Sequence, residues 1–139
     1  MSAQQLENIA RQVIEEGFNR GNYSALDNLF APDYREHQFG LKPDLQGLKD
    51  NIRGLRAAFP DFCLTIDAVV TQGEEVWMRG TARGTHLGPF MGMPPSGKTF
   101  TVQVFDSLRI TDGKVVDHWG VPDRFHLMAQ LGALPTPAR

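Results

Sequence analysis

Residues 100–123 read FTVQVFDSLRITDGKVVDHWGVPD, and this stretch decides the fold. Polar and apolar side chains alternate through residues 100–110, which predicts a strand with Val102, Val104, Asp106 and Leu108 on one face. Asp112-Gly113 supplies the positive φ that a tight hairpin turn needs. Residues 115–121 predict the return strand, with Val116, His118 and Gly120 sharing a face and Val116 joining the core. Asp106 breaks the apolar phase. A carboxylate there is either a buried group with a task or the sign of a bulge that turns it to solvent.

Upstream of the hairpin, two more period-two segments predict strands. Phe62, Leu64, Ile66, Ala68 and Val70 share one face, and Val76, Met78, Gly80 and Ala82 share another after the Gln72-Gly73-Glu74 turn. A Gly-, Pro- and Met-rich loop, residues 84–97, links them to the hairpin. The N-terminal half has helical spacing instead. Leu6, Ile9, Ala10, Val13, Ile14 and Phe18 form one stripe, opened by a Ser2/Gln5 capping box. A short helix over residues 24–30 follows, with Ser24 as its cap, and Ala31-Pro32-Asp33-Tyr34 breaks it. Residues 35–43 read as an irregular polar segment. A third helix over residues 45–59 buries Leu48, Ile52 and Leu55 and stops at Pro60. A last helix spans residues 123–131, and the tail at residues 134–137 is expected to fray. Three helices followed by an antiparallel meander predict an α+β fold, with a curved sheet packed on the helices and a pocket at its open end.

Composition bounds the function. With 139 residues, the chain is expected to form one domain spanning residues 1–139. A net charge of −2 gives no electrostatic footprint for nucleic acid or an anionic membrane. A lone Cys63 excludes a disulfide framework, and four scattered His residues without a ligand motif point away from a metal. No apolar run approaches the ~20 residues that cross a bilayer, and no signal peptide is evident, so the expected compartment is cytoplasmic.

Several motifs together resemble the SnoaL-like polyketide cyclases. They are Gly84-Thr85-His86-Leu87-Gly88 and Met91-Gly92-Met93-Pro94-Pro95, then the 108–115 hairpin, Asp117-His118-Trp119, Pro122-Asp123 and Gln130-Leu131-Gly132. The resemblance runs from the first helix to Gly132. It implies the cone-shaped fold named after nuclear transport factor 2, also called cystatin-like. It also implies metal- and cofactor-independent aldol ring closure on an anthracycline precursor, with an Asp as general acid/base. That Asp falls on Gly120 here, and the His that accompanies it falls on Asp106, so the carboxylate has crossed the hairpin.

These readings make Asp106 and His118 the expected catalytic pair, as base and as donor to a developing oxyanion. His118 is alternatively a core histidine satisfied by a carbonyl. Tyr34, His37, Met78, Phe90, Met91, Met93 and Gly120 are the expected substrate-binding residues, with Gly120 leaving empty volume beside the pair and the 90–93 loop closing the pocket. Asp123 is expected to cap the last helix, and His86 and His126 to be structural or exposed. The expected partner is a small hydrophobic carbonyl compound. The alternative is a non-catalytic ligand-binding or dimerisation module whose site was lost at Gly120. Trp77, Phe105 and Trp119 lie on the opposite face and are expected to form a homodimer interface.

Overall fold

A computed structural model of the chain describes residues 1–135. The end of the expected frayed tail, from residue 136 onward, lies outside the described residues. Helix α1 spans Ala3–Gln12 and opens with the capping box, for Ser2 and Gln5 bond reciprocally. It runs into a π-helical segment, Val13–Asn19. Helix α2, Tyr23–Leu29, is capped by Asn22 rather than Ser24, since the Asn22 side chain accepts from Ala25 N–H. Strand β1, Phe30–Glu36, and helix α3, Leu45–Ala58, follow. Strands β2 (Cys63–Gln72), β3 (Glu75–Thr85), β4 (Thr99–Thr111) and β5 (Lys114–Pro122) form the meander, and helix α4, Arg124–Gln130, closes the chain.

The sheet order is β1-β5-β4-β3-β2. Strands β2 to β5 are antiparallel neighbours, as the alternation predicted. Asp112 and Gly113 both take positive φ, 51° and 75°, in the hairpin turn. Strand β1 was not expected. The sequence reading breaks the chain at Pro32 and leaves residues 35–43 irregular, yet residues 30–36 pair in parallel with β5 at the sheet edge. An edge is where a strand tolerates proline, because one side of its backbone needs no partner.

Two bulges shift the expected phase. Between Ile66 and Ala68 the β2 register slips by one residue, so Val69 packs against the core while Val70 is exposed. Between β4 and β5, Arg109 faces Asp117 but Ile110 faces Val115. Val116 is therefore the extra residue, and Val115 replaces it in the core. Beyond the bulge the phase is restored, so His118 and Gly120 share the inner face as expected.

The inner face of the sheet packs on α1, the π-helical segment and α3 through Leu6, Val13, Leu48, Ile52, Val76 and Leu108, all buried. Among the described residues no helix is long and apolar enough to cross a membrane. Ile52 is fully buried. Ile52→Ala is expected to destabilise the fold by about 2–5 kcal/mol in denaturant titration.

The outer face carries aromatic side chains that stay largely exposed among the described residues. Trp77 and Trp119 flank Ser107 across adjacent strands, and Phe105 faces Val121 one row on. Trp77 is 54% exposed, Phe105 53% and Trp119 38%. We propose that a second copy of the chain covers this patch. Sedimentation at micromolar concentration should show a dimer that Trp77→Asp dissociates. A wild-type monomer throughout would remove the idea.

Candidate active site

The hairpin register builds the centre of the site. Asp106 on β4 faces Gly120 on β5, and the next inward pair is Leu108 with His118. Asp106 and His118 are thus diagonal neighbours on one face, within reach of each other. His118 Nε2 lies 2.8 Å from Asp106 Oδ1. The parallel β1–β5 pairing places Glu36 beside His118, whose Nδ1 is 2.9 Å from both carboxylate oxygens of Glu36. Tyr34 donates its hydroxyl to Glu36 Oε1 at 2.6 Å, and the Gln38 N–H donates to Oε2 at 2.9 Å. The result is a buried chain: Asp106, His118, Glu36, Tyr34.

The charges of this chain follow from its geometry. Burial alone would lower the His118 pKa. Hydrogen bonds to Asp106 and Glu36, and the charges of both, instead raise it to about 10. His118 is then an imidazolium at neutral pH, with both N–H groups donating inside the protein. Burial would raise the Glu36 pKa, but the His118 bond and charge, with the Tyr34 hydroxyl, hold it below the usual range. Tyr34 is raised by burial and by Glu36, so its proton stays in place. His118 therefore has no free nitrogen for a substrate. The Nε2 bond holds the Asp106 carboxylate against β5.

A separate cluster occupies the outer face. Asp117, buried, accepts from Arg35 Nε at 3.0 Å and Arg109 Nε at 2.8 Å, and lies 2.8 Å from His37 Nε2. Burial would raise its pKa, but the bonds to His37, Arg109 and Arg35 keep it low. His37 stacks on Trp119, with ring centroids 4.6 Å apart and planes 8° from parallel. This cluster ties the β1 edge to β5 from behind.

Two hollows meet at the open end of the sheet. The inner one has a volume of about 40 Å³ and is lined by Asp106, Val102, Val104, Leu55, Phe62 and Phe100 among others. The outer one has a volume of about 640 Å³, enough for a drug-sized ligand, and is lined by His37, Phe39, Met91, Trp119, Gly120 and Val121 among others. Gln38, Asn51, Pro122 and Arg124 line both and form the neck between them.

The remaining expected binding residues scatter. His37, Met91 and Gly120 reach the outer hollow. Tyr34 is buried against Glu36. Met78 is core and faces Asp106 across β3–β4. Phe90 is buried with its ring 5.1 Å from that of Phe59, and Met93 packs on the core, so of the expected loop Met91 lines the outer hollow. The empty volume expected beside Gly120 is occupied. A Cβ there would lie 2.4 Å from Gln38 Oε1 and 3.1 Å from Asp106 Oδ1. Asp123 caps α4 by accepting from His126 N–H, and His86 is buried with its Nδ1 on Ser96.

Sequence reasoning missed Glu36, Gln38 and Arg124. The one available signal was an acidic residue placed two after Tyr34, and that needed β1 to be read as a strand.

Residues 8–131 match the family described as SnoaL-like polyketide cyclase. The chain belongs to that family. It is 28% identical over 120 residues to the nogalonic acid methyl ester cyclase of Streptomyces nogalater, covering 83% of this chain and 89% of that one. Among solved structures it resembles TsrD from Streptomyces laurentii, with a TM-score of 0.87 and 30% identity over 96% of this chain and 99% of that one. It also resembles IdmH from Streptomyces antibioticus, with a TM-score of 0.82 and 34% identity over 92% of this chain and 99% of that one.

The raised His118 pKa gives a stability prediction. Its folded value lies above the ordinary 6.5, so the stabilisation from that proton is complete below about pH 6.5 and is lost as pH rises through about 10. Glu36 acts oppositely, with its contribution present above its ordinary 4.5 and lost as pH falls. Thermal melting of the wild type should therefore weaken steadily between pH 6.5 and 10. His118→Gln should melt lower at neutral pH and lack that alkaline slope. An identical slope in both proteins would mean that His118 is neutral when folded.

Proposed function

We propose that the protein is a metal- and cofactor-independent acid–base enzyme that acts on a small hydrophobic carbonyl compound by aldol-type ring closure. The carrying observation is Asp106. It is 7% exposed, lines the inner hollow and is oriented through Oδ1 by the His118 imidazolium. Among the described residues Oδ2 takes no hydrogen bond, which leaves one carboxylate oxygen for a substrate proton. The relative from Streptomyces nogalater is named a cyclase, and the shared family supports the same reaction class here.

The reaction divides into steps that this geometry can serve. A substrate held in the outer hollow reaches its α-carbon through the neck to Asp106. Asp106 takes the α-proton, and the electron pair of the broken C–H bond forms the enolate. The enolate carbon then attacks a second carbonyl of the same molecule, whose π pair moves onto oxygen, and the new alkoxide takes the proton from the protonated Asp106, which returns to the carboxylate. Apolar walls exclude water and keep the enolate from simple reprotonation. Glu36 and Tyr34 act through His118, which they hold in place.

The proposed roles separate under mutation. Once a reacting carbonyl compound is found by screening, Asp106→Asn should lower kcat by ~10²-fold or more with the fold intact, as expected for loss of a general acid/base. Full activity in that variant would remove Asp106 from the chemistry. Gly120 and the Gln38 oxygen beside it favour a second reading, a binding module whose family carboxylate is gone. That reading requires tight ligand binding without turnover in the same screen.

A further inference from the structure

The neck between the two hollows holds a cation that has no counter-ion among the described residues. Arg124 is the first residue of α4, and it lines both hollows together with Gln38 and Asn51. Its Nε is buried without a hydrogen-bond partner. Nη1 points at Met91 Sδ, 3.2 Å away, and the guanidinium lies 5.3 Å from the centre of the Phe90 ring. Among the described residues no carboxylate lies within ion-pairing distance of it. Arg124 is half-buried, and burial depresses its pKa below the ordinary arginine value, so the guanidinium is partly drawn out of water with its Nε left without a partner.

A thioether and an aromatic face are weak partners for a guanidinium, whose planar fork suits a carboxylate or another paired-oxygen anion. An unpaired cation beside an apolar hollow is costly unless a ligand completes it. The acid–base reading also lacks a donor. Deprotonation by Asp106 moves the C–H electron pair into a new C=C bond and drives the carbonyl π pair onto oxygen. That oxygen needs a donor, and both His118 nitrogens are committed elsewhere.

We propose that Arg124 is the anion-binding residue of this site and receives the enolate, ionised phenol or carboxylate oxygen of the substrate at the neck. The ligand is thereby narrowed to one that presents an anionic oxygen at the neck. The assignment rests on the acid–base reading, because it names where the electrons displaced by Asp106 arrive. Gln38 and Asn51 frame the same opening and limit the approach of the ligand.

The test uses equilibrium binding, which needs no turnover. Two probes, 2-naphthoate and its uncharged analogue 2-naphthamide, are titrated calorimetrically into the full chain at neutral pH. The wild type is expected to bind naphthoate at least tenfold more tightly than Arg124→Gln does, while naphthamide binds both equally. Arg124→Lys should keep part of the naphthoate preference, which a packing role would not. Equal naphthoate affinity in the wild type and Arg124→Gln overturns the proposal, as does absence of naphthoate binding to the wild type. Equal loss of both probes in Arg124→Gln also overturns it, since that outcome reports pocket shape. Asp106→Asn should keep the naphthoate preference. If instead that variant keeps turnover, the acid–base reading fails while the naphthoate result still reports on Arg124.

Discussion

One imidazolium between two carboxylates holds the working end of this molecule together. Removing His118 from water would ordinarily favour its neutral form. Here Asp106 on one side and Glu36 on the other reverse that, and the three groups form a buried ionic chain with a net negative charge. Such a chain is a poor stability device compared with packed apolar side chains, because desolvation offsets much of the attraction. Its value lies in geometry. Three separate strands, β1, β4 and β5, each contribute one member, so the charges align only when the sheet is assembled in register.

The same residues divide labour in a way that their chemical types conceal. Asp106 lines the inner hollow with one carboxylate oxygen free of hydrogen bonds among the described residues, while His118, Glu36 and Tyr34 have their polar atoms committed within the chain. The outer cluster around Asp117 supports this from the reverse side of the sheet. Neighbouring residues on β5 therefore face opposite ways. Asp117 faces two arginines and His37, and His118 faces Asp106 and Glu36. A one-residue slip of β5 would turn Asp117 to the inner face and His118 to the outer one, parting each from its partners.

The neck explains how an apolar hollow can coexist with charge. Gln38 fills the space over Gly120 that a side chain would otherwise take, and it stands between the outer hollow and Asp106. The Asp106 carboxylate sits directly across the hairpin from Gly120, and the Gln38 amide, from the loop after β1, occupies the space above that glycine. A side chain at residue 120 and the present Gln38 conformation exclude each other.

The sequence by itself determined which residues share a face over short distances. Alternation and the Asp112-Gly113 turn placed Asp106 and Gly120 on neighbouring antiparallel strands, and that holds in the structure. Helical spacing found α1 and α3, and family motifs named the fold. The bulges at residues 67 and 116 were not legible, because a single extra residue leaves the composition unchanged and reverses the phase after it. Glu36 was not legible either. Its partner His118 lies 82 residues away, and the strand that carries it is short, contains proline and pairs in parallel at an edge. Periodicity records how a residue sits on its own element. Which distant element completes a buried charge, and which cation is left without a partner, are decided by tertiary packing alone, because only packing sets what replaces the water around each group.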